Sequence, residues 1–65
     1  MKTITIMKVV YDIMAEGTVF QKRCVKHFME NSKTPVDLER ELIHFIRVQV
    51  ETGNLDFSKY IGVWA

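Results

Sequence analysis

Cys24 and His27 stand three positions apart, with Lys22, Arg23 and Lys26 around them and His44 further along the chain. A thiol among basic groups is the setting in which cysteine becomes a nucleophile or a metal ligand. Neither chemistry is completed here. A structural zinc site takes four ligands, and these three residues are all the cysteine and histidine the chain owns. On an extended strand, Cys24 and His27 would also point to opposite faces. A nucleophile needs a base, an orienting group and a pocket, and 65 residues leave little room for one. The expectation is a chain that is not an enzyme and holds no metal and no cofactor.

Two further groups of residues could bind. Lys22, Arg23, Lys26, His27 and Lys33 are the one basic concentration, with Phe20 and Phe28 interleaved. Rings set between cations are how single-stranded nucleic acid is held, which makes Lys22, Arg23, Lys26 and Lys33 candidate nucleic-acid contacts. The net charge of only +1 argues against it, since no overall field draws the chain to a polyanion. Tyr60 and Trp64 are the other group. Aromatic anchors dominate protein interfaces, but a small domain also needs its aromatics in the core.

These residues must be positioned by a few elements. Thr34 to Gly53 reads as a helix, with its regular part over 35–52. Thr34 is a natural cap, Pro35 suits the first helical position, and Asp37 and Glu39 suit the positive end of the helix dipole. Leu38, Leu42, Phe45, Ile46 and Gln49 recur on one face. Arg40, His44, Arg47 and Glu51 share the opposite one. Gly53 can end the helix in a left-handed conformation.

Thr3 to Met14 is dense in β-branched and aromatic residues, which favours a strand. Read so, Met7, Val9, Tyr11 and Ile13 share one face, and Ile4, Ile6, Val10 and Met14 the other. Glu16–Gly17 makes a turn, and Thr18 to Met29 returns as an edge strand carrying Lys22 and Lys26 on one face and Arg23 and His27 on the other. Tyr60 to Trp64 forms a short last strand. This gives an α+β fold of ββαβ order: a three-stranded antiparallel or mixed sheet, strand order 2-1-3, with one helix on one face. A rival reading competes. Val19-Phe20, Cys24-Val25 and Phe28-Met29 are apolar pairs one helical turn apart, and Thr18 with Gln21 would make a capping box. On that reading the chain is a small three-helix bundle.

Composition bounds the rest. A hydrophobic fraction of 48% argues for a folded chain, and 65 residues for one domain over 1–65. No apolar run is long enough to span a bilayer, and MKTITIMK lacks a signal-peptide pattern. With a single cysteine, the expected compartment is the cytoplasm. Lys8-Val9-Val10-Tyr11 in a first strand, with this size and order of elements, resembles small phage-encoded proteins that bind and inhibit host factors, phage antitoxins among them. The resemblance covers that tetrapeptide and a common topology and transfers no functional residue. It implies an inhibitor or regulator that binds a protein stoichiometrically. In the ββαβ fold the uncovered sheet face would offer Ile4, Ile6 and Val10, beside Tyr60 and Trp64, to a protein partner or to a second copy in a homodimer.

Overall fold

The computed structural model describes residues 2–60. Among them the chain forms α1 (Thr3–Glu16), α2 (Val19–Asn31), α3 (Pro35–Glu51) and a 3-10 turn over Phe57–Tyr60. There is no strand among the described residues. The ββαβ sheet expected from the sequence is therefore replaced by its rival, a three-helix bundle. Thr3 to Met14 and Thr18 to Met29, read above as a hairpin, lie in α1 and α2 with their connection. Tyr60 belongs to the 3-10 turn, and the rest of the expected last strand lies outside the described residues.

The correction has a clear cause in α1. Seven of its 14 residues are β-branched: Thr3, Ile4, Thr5, Ile6, Val9, Val10 and Ile13. That lowers helix propensity by only tenths of a kcal/mol per residue, about 0.7 at most. Its N-terminus also lacks a side-chain cap and an acidic first turn. Burial decides instead. Ile6, Val9 and Ile13 fall on one helical side and are at most 3% exposed. Burying three such side chains is worth roughly 1.5–3 kcal/mol each, which outweighs the propensity deficit.

The other two helices are specified locally as well. Thr18 caps α2: its hydroxyl accepts from the Gln21 N–H at 3.1 Å, and Gln21 Oε1 accepts from the Thr18 N–H at 3.0 Å. Thr34 caps α3 by accepting from the Asp37 N–H at 3.1 Å. The helix ends one residue before the expected 52, with Thr52 as its cap. Gly53 adopts φ +78°. The Gly53 N–H then donates to Val50 O and the Asn54 N–H to Gln49 O, the paired bonds of a Schellman ending.

Gly17 works differently from the hairpin-turn role expected of it. Its φ is −70°, an ordinary value for any residue. What it supplies is closeness. A Cβ there would lie 2.5 Å from the Ile13 carbonyl oxygen. The absent side chain lets Gly17 donate to that oxygen at 2.7 Å and turn the chain into α2 within two residues.

The helices run up, down and up. Gln21 at the start of α2 meets Gln49 near the end of α3, and the Phe28 and Phe45 rings meet edge to face at 5.7 Å. The starts of α1 and α3 are joined by Thr3 Oγ1, which donates to Glu39 at 3.2 Å. Between them lies a core of Ile6, Val9, Ile13, Val25, Leu42, Phe45, Ile46 and Tyr60. Gln21 and Gln49 are buried beside it. Gln21 Nε2 donates to Gln49 Oε1 at 3.0 Å and to Asn54 O at 3.1 Å.

Two substitutions test this packing. Phe45→Ala is expected to cost about 3–5 kcal/mol in chemical denaturation, the usual loss for a buried phenylalanine. Gln21→Glu keeps the size of the side chain and removes both donors, leaving acceptor facing acceptor. It is expected to cost about 2–4 kcal/mol, where an exposed Gln→Glu change is near neutral. An unchanged midpoint for either variant would show that its side chain does not hold the bundle together.

Candidate protein-binding surface

A helix that buries one side normally turns a polar side to water. α1 does not. Opposite Ile6, Val9 and Ile13 run Ile4, Met7, Tyr11 and Met14, exposed by 64%, 66%, 73% and 44%. Their steps of three, four and three residues keep them on one line along the helix. Scattered apolar residues on a surface are ordinary, but a contiguous line of large ones marks a contact surface. Lys8, Asp12 and Ala15 border the stripe on one side.

On its other side the stripe meets α3. Glu39 of α3 is turned to α1 by its bond to Thr3. Val36, Ile43 and Val50 follow that side of α3 at seven-residue intervals, and Val36 and Val50 are exposed. Between Ile6 and Met7 of α1 and Pro35, Leu38 and Leu42 of α3 opens a groove of about 200 Å³. Its lining is almost wholly apolar, and Met7 makes it continuous with the stripe.

The residues singled out from sequence fare unequally. Ile4 is on the surface, on a helix and not on a sheet face. Ile6 is buried in the core, and Val10 is half-buried and packs against that core. Both were expected on the open face because a strand alternates every second residue, whereas a helix sorts residues by threes and fours. Tyr60 is 1% exposed and belongs to the core rather than to an interface. Trp64 lies outside the described residues. Met7 and Tyr11, read above as part of the strand face opposite Ile4, join Ile4 on the surface instead. The steps 4, 7, 11 and 14 would have found them once α1 was read as a helix.

Arg23 and Lys26 are exposed on α2, Lys22 is half-buried, and Lys33 lies in the turn before α3. Lys26 is 3.9 Å from Glu30, which offsets its charge. Cys24 is a free, half-buried thiol, and His27 sits three residues on in the same helix, not on an opposite strand face. His27 is edge-on to Phe28, and Asn31 is bonded to it. Among the described residues no group of three or more Cys, His, Asp or Glu is placed to hold a metal ion.

No family model, curated protein or solved structure matches this chain. Its surface is therefore read from its own chemistry.

The polar cleft at the other end of the bundle, about 180 Å³, is lined in part by Asp12, Glu16, Gln21, Asn54, Asp56 and Lys59. Most of its polar groups are committed to the fold. Gln21 is bonded as described. Asp56 Oδ1 accepts from the Ser58 N–H and hydroxyl at 3.0 and 2.6 Å, and these bonds hold its carboxyl below the usual range. The Tyr60 hydroxyl donates to Asp12 Oδ2 at 2.5 Å and pins the 3-10 turn to α1. Burial, and then the Asp12 carboxylate it faces, push the Tyr60 phenol well above its ordinary value.

A raised phenol means that the folded chain keeps a proton the unfolded chain gives up. Stability from this group is full below the ordinary phenol pKa of about 10 and falls as pH rises above it. Denaturation midpoints measured from pH 8 to pH 11 are therefore expected to drop for the native chain above about 10. Tyr60→Phe is expected to remove that part of the drop while costing about 1–2 kcal/mol at neutral pH for the lost charge-assisted bond. Parallel pH curves for the two proteins would show that Tyr60 is not responsible.

Proposed function

We propose that the chain is a small binding module that acts by occupying a surface on another protein, as a stoichiometric regulator and not as a catalyst. The observation that carries this reading is the outer stripe of α1. Ile4, Met7, Tyr11 and Met14 have the spacing of one side of a helix–helix seam, and among the described residues they stand exposed. Methionine adapts its shape to a partner, and tyrosine joins an apolar ring to a polar tip, so both suit recognition. The groove beside Met7 would receive one projecting apolar side chain. The resemblance to phage inhibitors rested on a sheet and a first strand that the bundle does not contain, and adds nothing to this reading. Among the described residues no helix is long and apolar enough to cross a membrane. The free thiol of Cys24 favours a reducing compartment, so we place the protein in the cytoplasm.

One observation favours a second reading. Phe20 is 64% exposed on α2, with Arg23 and His27 at helical spacing beside it. A base could stack there between cations. The net charge of +1 and the Lys26–Glu30 pair weigh against it.

Photo-crosslinking separates the two. A photoreactive residue is placed at Tyr11 in one variant and at Lys26 in another, each expressed in the cells the protein comes from. Discrete protein adducts from position 11, lost on adding Met7→Asp, are expected, with no nucleic-acid adduct from position 26. Salt-sensitive nucleic-acid adducts from position 26, with none from position 11, would replace the first reading by the second.

A further inference from the structure

We infer that the outer stripe of α1 is self-complementary, and that its occupant is a second copy of this chain packed antiparallel about a two-fold axis at the level of Val9. The inference rests on the reading of that stripe as a binding surface, which the second copy covers in competition with a foreign partner.

The spacing carries the argument. Laying α1 against its own reverse at that level sets Ile4 opposite Met14 of the copy, and Met7 opposite Tyr11 of the copy. The same contacts recur on the other side of the axis. Every large outward side chain thus meets an unlike one, and the centre pairs a methionine sulfur with an aromatic ring, a favourable contact. In antiparallel helices like edges face each other. The edge beside the stripe carries Lys8 and Asp12, so each Lys8 comes within reach of Asp12 of the copy.

These charges are available for such a contact. Among the described residues Lys8 has no hydrogen-bond or ion-pair partner, and Asp12 accepts from Tyr60 through one oxygen only. Ala15, on the same edge, is small enough to let the helix ends close. A parallel pair would instead stack Ile4 on Ile4 and Met7 on Met7. It would also turn the Lys8–Asp12 edge toward the uncharged edge of Thr3 and Val10.

The area suffices for a specific contact. Four side chains exposed by 44–73% hold on the order of 500 Å² between them, so a two-fold pair removes roughly 1,000 Å² from water, the lower bound for a specific interface. Val36 and Val50, along the α3 side of the stripe, add to this.

Sedimentation equilibrium of the purified chain from about 5 to 200 µM tests the pair, since this range brackets a micromolar dissociation constant. A dimer mass is expected at the upper end. Met7→Asp and Tyr11→Asp should each weaken it by about tenfold or more. An unchanged helical circular dichroism spectrum would confirm that these exposed substitutions leave the fold intact. Disulfide mapping in a Cys24→Ser background, held to the same spectrum, tests the orientation. A mixture of Met7→Cys and Tyr11→Cys chains should cross-link faster than either alone, and Ile4→Cys should link to Met14→Cys before it links to itself.

A monomer mass at the highest concentration would overturn the inference, as would preferential self-linking of Ile4→Cys. If the chain is monomeric while position 11 captures a cellular protein, the binding module stands and the self-pair falls. If it dimerises as mapped and captures only itself, the self-pair stands and the foreign partner falls.

Discussion

Gln21 is the point on which the assembly of the bundle turns. Its backbone N–H and side-chain oxygen complete the cap of α2, and its side-chain nitrogen reaches both Gln49 on α3 and the carbonyl of Asn54 beyond it. The side chain is 4% exposed, so water cannot replace these partners. Inside a protein a polar group of this kind stabilises only when all its bonds are made at once. That requirement fixes how far along α3 the start of α2 must sit. It also fixes the chain after α3, because the Schellman ending at Gly53 presents the Asn54 carbonyl to Gln21. From there the chain has only a few residues in which to bring Tyr60 back to Asp12 on α1. One amide thus ties all three helices to a common register, directly for two and through the returning tail for the third.

α1 shows what a very small domain leaves over. A bundle of this size can enclose one side of each helix and little more. The inward residues of α1 are taken up by α2, α3 and Tyr60, yet the sequence continues the apolar pattern around to the opposite side. Such a pattern adds nothing to the stability of a monomer and lowers its solubility. It is the kind of feature kept for contact with something else. The polar end of the bundle is the reverse case, since its carboxylates, amides and phenol are largely bonded to one another.

Much of this was legible in the sequence, and the rest was hidden for identifiable reasons. α3 was readable because its cap, its proline, its apolar face and its terminal glycine all agree, and each does in the structure what its chemistry suggests. The Thr18–Gln21 capping box was visible too and was outweighed by the β-branched residues of α1. Those residues misled because propensity is weak beside burial. The first segment is apolar on two sides, a character that suits a central strand as well as it suits what the structure shows, a helix with two stripes. That one change of period moves Ile6 and Val10 inward and brings out Met7 and Tyr11. The bond from Tyr60 to Asp12 joins residues far apart in the chain, and no local pattern announces it.

The connections described above also set how the chain reaches its fold. Gly17 and Thr18 alone separate α1 from α2, and Ser32 to Thr34 separate α2 from α3. Most contacts are therefore between neighbours in sequence, and little loop entropy is spent before packing begins to repay it. Chains with such local topology fold within microseconds to milliseconds. The contacts of α3 with α1, Thr3 to Glu39 among them, and the docking of Tyr60 on α1 must close long loops, so they belong to the later part of the process. A nascent chain would have its first two helices paired before the last turn left the ribosome, with the outer stripe of α1 already formed and open to whatever it meets first.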